Sequence, residues 1–245
     1  MALFLKANWD NIIMANYQID PEILIPFLPN GVELDLYNGK CYISLVGFMF
    51  KNIKLFNIPI PILGNFEEIN LRFYVKRTEE NNIIKRGVVF INETIPYPVV
   101  AWVANKLYDE HYTVVPTKHE ISTEEFSKKV KFEWLLSKRW NFIAVTTSTT
   151  SEKMKRNSLE SFIYEHYFGY TKTTKNETVE YKLQHPSWKV SEVLEYQIDC
   201  DFEAMYGKSF SVLNQTEPEA VFIADGSLVG IEWKRTKINL YNERC

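Results

Sequence analysis

Four polar side chains spaced two apart carry the chemistry this sequence can offer. In Phe66 to Val75 (FEEINLRFYV), Glu68, Asn70, Arg72 and Tyr74 share one face of an extended strand with Phe66. The other face, Glu67, Ile69, Leu71, Phe73 and Val75, is apolar after its first member. Arg72 presents a planar fork suited to a carboxylate. Glu68 can act as an acid or base where burial raises its pKa toward neutrality. At about 3.3 Å per residue the two lie roughly 13 Å apart, too far to pair with each other along a regular strand. Each therefore needs a partner on a neighbouring strand, in water or on a ligand. By pattern alone, such a row also suits the solvated face of a half-buried strand. Two further residues are candidates to reach the same ligand: Glu93, near the turn at Pro96, and His185, in His185-Pro186-Ser187-Trp188. Glu93 suits a structural hydrogen bond at that turn equally well. His185 and His166 titrate near neutrality and could shuttle protons, although the commoner role of such a histidine is structural.

Other chemistries lack their residues. The histidines at 111, 119, 166 and 185 show no metal-ligand spacing, so no metal is expected, and no other cofactor either. No serine stands in a GxSxG elbow, and the nine glycines form no phosphate-cradling loop. Three cysteines, Cys41, Cys200 and Cys245, make neither a CxxC nor an even framework. Reduced thiols in the cytoplasm fit them best. A net charge of -3 and a pI near 5.9 argue against a nucleic-acid partner. The lysines and arginine at 128, 129, 131, 138 and 139 read as a solvated face. No apolar run approaches the ~18 residues of a membrane helix, so no membrane partner is expected. A small-molecule ligand is the partner expected, and a homo-oligomer is compatible with the sequence.

The elements that must position these residues are mostly strands. An aromatic share of 15% favours pleated, half-buried surfaces. Trp9 to Ile19 reads as a strand that stops at Asp20-Pro21, a capping residue followed by a helix-starting proline. Asn38-Gly39 and Asp225-Gly226 each predict a tight hairpin between apolar runs. The first would join Val32–Leu36 to Cys41–Phe50, the second Ala220–Ala224 to Leu228–Trp233. Glu79 to Asn82 should return the chain antiparallel beside the polar row, until Pro96 and Pro98 end that strand. Helices are predicted over Val99–Tyr108, Ser158–Tyr164 and Phe202–Tyr206. No linker or repeat divides the chain, so residues 1–245 are expected to form one β-rich domain with a few short helices.

Several blocks in order resemble the YqjF-like family of bacterial proteins: NWDNIIMANYQIDPEILIPFLPNGVELD, YNGKCYISLVGFMF, FEEINLRFYV, RGVVFINE, ANKLYDEHY, SFIYEHYFGY and HPSW. The resemblance implies the acetoacetate decarboxylase-like fold, a large closed antiparallel β-barrel, cone-shaped, with peripheral helices and a cavity. It turns the polar row inward, so that Asn70, Arg72, Tyr74, Glu93 and His185 become ligand-binding candidates and Glu68 the catalytic candidate. The decarboxylase itself uses a Schiff-base lysine whose pKa is depressed by an adjacent lysine. Here the adjacent pair is Lys128-Lys129, in a polar segment, and the stretch after Ala104–Tyr108 holds no lysine. The sequence therefore points to a protein that binds a small carboxylate- or carbonyl-bearing molecule. The alternatives are a lyase or hydratase-like enzyme, with Glu68 as acid/base and Arg72 as anchor, and a purely structural barrel.

Overall fold

The computed structural model describes residues 3–61, 64–98, 100–101, 111–173, 175 and 177–238. The helix expected over Val99–Tyr108 lies almost entirely outside them. The first half builds β1 (Leu3–Gln18), α1 (Pro21–Leu24), β2 (Glu33–Leu34), β3 (Tyr42–Leu55), β4 (Ile58–Pro59), β5 (Phe66–Thr78) and β6 (Ile84–Ile95). The second builds β7 (Tyr112–Val114), β8 (Thr117–Thr123), β9 (Ser127–Leu136), β10 (Arg139–Lys153), α2 (Leu159–Tyr164) and β11 (Phe168–Lys172). β12 (Thr178–Gln184), β13 (Lys189–Asp199), α3 (Phe202–Tyr206) and β14 (Ala220–Ile238) complete it.

Seven strands close on themselves in the order β1-β3-β5-β6-β11-β12-β14, with β14 pairing back onto β1. Every seam of this ring is antiparallel except β6–β11, which is parallel. From β14 the sheet continues through β13, β10 and β9 to β8, and this extension folds back over the outside of the ring. Ile13, Leu45, Ile69, Leu71 and Phe73 pack there against Val130, Phe132, Trp134 and Ile143 of the extension. A second apolar cluster draws Met14, Phe48, Phe66, Tyr74, Val88, Leu183 and Val229 from strands all around the ring, so those side chains meet inside it. The α2 residues Phe162, Ile163 and Tyr164 join that inner cluster. Their helix starts where Ser158 Oγ accepts the Ser161 N–H at 3.2 Å.

β5 is thus buried on both faces along Phe66–Val75, not half-solvated. Glu67, the polar member of its outward face, binds the extension: Thr117 Oγ1 donates to it at 2.5 Å, and His119 Nδ1 contacts the other oxygen.

The two hairpin signals had different outcomes. Asn38 and Gly39 do form a tight turn with positive φ at both positions, bridging Tyr37 and Lys40. However, β2 pairs with β5 rather than β3, so the turn joins no long ladder. Asp225-Gly226 is no hairpin, because β14 runs straight through it. Gly226, at φ 85°, lies opposite Asp10 in a register that skips Asn11, itself at φ 55°. A Cβ on Gly226 would stand 2.1 Å from the Trp9 carbonyl oxygen, so the glycine serves a close backbone approach, while the bulge at Asn11 lies in the pairing of β1 with β3. β8 and β11 are strands that the pattern did not announce. Among the described residues no helix is long and apolar enough to cross a membrane.

Candidate ligand-binding site

Register decides which side chains meet inside the ring. Asn16, Ser44 and Arg72 lie abreast on β1, β3 and β5. Met14, Val46, Asn70 and Glu93 form the next rank, and Phe48 faces Glu68 beyond it. Because paired residues share a face of the sheet, all of these point inward with Tyr74. Glu68, Asn70, Arg72, Tyr74 and Glu93 are each less than a tenth exposed. The structure therefore brings five of the six predicted site residues together.

The tyrosine end is locked. Ser44 Oγ donates to Asn16 Oδ1 at 2.6 Å, which leaves the 2.6 Å contact between Tyr74 and Ser44 to be donated by the phenol. Asn16 in turn donates to the carbonyls of Met14 and Ala220 at 3.0 and 3.1 Å. Burial pushes the Tyr74 pKa up, although the Arg72 charge and side-chain hydrogen bonding with Ser44 and Arg72 oppose it. The phenol is neutral at physiological pH.

Arg72 is placed differently. Its Nη2 lies 3.4 Å from the Met14 thioether, and its guanidinium carbon 6.0 Å from the Tyr74 ring centre. Among the described residues no carboxylate pairs with it, and its buried Nε–H has no acceptor. Beside it, Asn70 Nδ2 donates to Glu68 Oε1 at 3.1 Å, while Asn70 Oδ1 is unmet among the described residues. Glu93 accepts a hydrogen bond from the Tyr112 hydroxyl at 2.8 Å.

His185 is held by its own neighbours, within the field of Arg72. Its half-buried ring stacks on Trp188, with centres 4.1 Å apart, and its Nδ1 lies 2.9 Å from the Pro186 carbonyl. Burial lowers its pKa. The row is also met by His166, whose ring packs 4.8 Å from that of Tyr74 and 5.1 Å from Phe162. His166 Nε2 lies 3.2 Å from Asp35 Oδ2, and Arg86 Nε donates to the same oxygen at 2.6 Å. Burial pushes the His166 pKa down to about 4, outweighing Asp35. Burial would raise Asp35, but the His166 and Arg86 hydrogen bonds hold its carboxyl below the ordinary range. Sequence reading had noticed His166 but not Asp35 or Arg86. Their only signal is distance-independent composition, since 131 residues separate the Asp35–His166 pair.

The lysine pair lies elsewhere. Lys128 donates to Asn11 Oδ1 at 2.5 Å, and Lys129 reaches toward Glu124 on the surface. Further along the basic run, Lys131 pairs with Glu133, and Arg139 with Asp199 and Asp201. Among the described residues no three potential ligands converge on a metal position.

The sequence profile of the DUF2071 family, described as an uncharacterized conserved protein, matches residues 6–228. The chain is 26% identical over 187 residues to the uncharacterized protein YqjF of Bacillus subtilis (strain 168), covering 75% of this chain and 74% of that one. Among solved structures it is similar to acetoacetate decarboxylase from Legionella pneumophila, with TM-score 0.64, 8% identity, and coverage of 97% and 88%. It is also similar to the enduracididine biosynthesis enzyme MppR complexed with pyruvate, with TM-score 0.64, 10% identity, and coverage of 99% and 93%. At such identities the solved structures establish a common fold, acetoacetate decarboxylase-like, and nothing of its chemistry.

Proposed function

The chain belongs to the DUF2071 family, and on that premise we propose that its barrel binds a small carboxylate-bearing molecule, with Arg72 as the anchor. One observation carries the reading: a guanidinium less than a tenth exposed, inside a closed ring, with no carboxylate partner among the described residues. Burying a charge without a counter-ion costs several kcal/mol by general estimates, on the order of a large share of a domain's stability. A protein that retains such a group gains where an anion completes it. Asn70 and Tyr74 flank the anchor, so a bound carboxylate would sit against an amide and a neutral phenol. A structure of the same fold holds pyruvate, which is itself a small carboxylate, and this agrees with the reading.

The Glu68 carboxyl on the same inward face favours a second reading, a lyase or hydratase-like enzyme in which Glu68 moves a proton while Arg72 clamps the substrate. A purely structural barrel would be expected to close Arg72 with a cross-strand carboxylate. A thermal-shift screen over small organic acids tests the proposal. Acids should raise the melting temperature of the wild type and leave Arg72→Met unmoved. Acids that stabilise both proteins alike would remove Arg72 from the account. Glu68→Gln should keep binding while losing turnover if the second reading holds.

A further inference from the structure

The inside of the ring contains unmet polar atoms of both kinds. Among the described residues, Arg72 Nε and Trp9 Nε1 are buried donors without acceptors, and Asn70 Oδ1 and His166 Nδ1 are buried acceptors without donors. Trp9 and the Tyr74 ring against which His166 packs both belong to the inner cluster. A carboxylate can satisfy the donors. It supplies nothing to the acceptors, and a buried acceptor left unmet costs about 1–3 kcal/mol.

The state of His166 follows from its neighbour. A carboxylate cannot donate, so the proton shared with Asp35 Oδ2 must sit on His166 Nε2, leaving Nδ1 bare. Arg86 fixes Asp35 from the other side and lies 4.8 Å over Phe162, whose ring also holds His166 edge-on. Burial keeps the imidazole neutral, so Nδ1 carries a lone pair rather than a second proton.

Resting on the carboxylate reading of Arg72, we infer that the ligand is a small hydroxy acid whose hydroxyl donates to His166 Nδ1. Asp35 and Arg86 act as positioning residues behind that histidine. A keto acid presents only acceptors and leaves both His166 Nδ1 and Asn70 Oδ1 unmet. The scale is that of a few-carbon acid, because His166 and Arg72 both border the Tyr74 ring, 4.8 Å between ring centres and 6.0 Å from the guanidinium carbon to the ring centre.

The test measures lactate and pyruvate binding by calorimetry to the wild type, His166→Gln and Arg72→Met. Glutamine keeps an Nε2 donor for Asp35 but offers no acceptor at the Nδ1 position. The wild type should prefer lactate by at least about tenfold, a modest part of the discrimination such a site can reach. His166→Gln should bind both acids with the preference gone, and Arg72→Met should bind neither. Pyruvate bound as tightly as lactate, or a preference that survives His166→Gln, overturns the inference while leaving the anchor intact. Failure of both acids to bind the wild type overturns the anchor and this inference with it. Nitrogen NMR of the wild-type imidazole gives an answer that needs no variant to fold. Nδ1 should be unprotonated at neutral pH and shift toward a hydrogen-bonded acceptor on adding lactate. A proton on Nδ1, or no response there, overturns the assignment.

Discussion

Replacing Arg72 by methionine should make the ligand-free protein more stable while abolishing its response to acids. Methionine reaches only about as far as the arginine Nε, so the Nη2 contact with Met14 is lost while the aliphatic stem keeps its packing. What disappears is a buried Nε–H with no acceptor, an unmet group that costs about 1–3 kcal/mol. Against this stands the loss of the contact with the Tyr74 ring. At 6.0 Å it lies at the limit of a cation–π interaction and contributes about 0.5–1 kcal/mol. The net gain is at most about 2.5 kcal/mol. For a chain of 245 residues that corresponds to at most roughly 10 °C in melting temperature. Scanning calorimetry and urea titration without added acid, compared with the same runs under saturating lactate, measure both halves. A variant that loses more than about 1 kcal/mol without ligand would show that Arg72 is part of the architecture, and the reasoning from its missing counter-ion would fail.

Acid should weaken the fold through His166. Its ordinary value of 6.5 drops to about 4 on folding, so the unfolded chain holds the extra proton throughout that window. Stability is therefore fully present above pH ~6.5 and is lost as pH falls toward about 4, by up to roughly 3 kcal/mol. Urea midpoints of His166→Gln should show a shallower slope across that window than wild type. Below it Asp35 takes over, because its lowered carboxyl adds stability that protonation removes. Ser44→Ala breaks the run from Tyr74 through Ser44 to Asn16 and leaves two buried groups unmet; a loss of about 2–4 kcal/mol in chemical denaturation is expected. Glu67→Ala releases Thr117 and His119, so hydrogen exchange should quicken in β8 first while the ring keeps its protection.

The strand carrying the site was legible because its alternation survives in the fold: Glu68 to Tyr74 do share one face, and Ile69 to Val75 the other. The capping of α1 by Asp20 was equally local and equally readable, whereas α2 offered Asn157 or Ser158 and takes Ser158. What the chain could not announce was that both faces of β5 would be covered. That depends on an extension 50 residues away folding back over it, with Glu67 meeting Thr117. Asp225-Gly226 misled for a related reason. The same dipeptide that favours a turn also suits a continuous strand with one residue at φ 85°, and only the approach of the Trp9 backbone chooses between them. Asp35 and His166 lie in loops and Arg86 in β6, far apart in sequence, where no periodicity links a charge to its partner. Lys128, flagged for its lysine neighbour, is instead held by Asn11, 117 residues distant.

The central claim is that the Arg72 guanidinium inside the ring takes up an anion. Arginine Nε–H resonances recorded during a lactate titration, with the Arg72 signal assigned by its absence in Arg72→Met, test it directly. The account predicts that this one resonance moves downfield and exchanges more slowly as lactate saturates, and that chloride at equal ionic strength leaves it in place. An Arg72 signal that ignores carboxylates, or that is already shifted and protected before any is added, contradicts it.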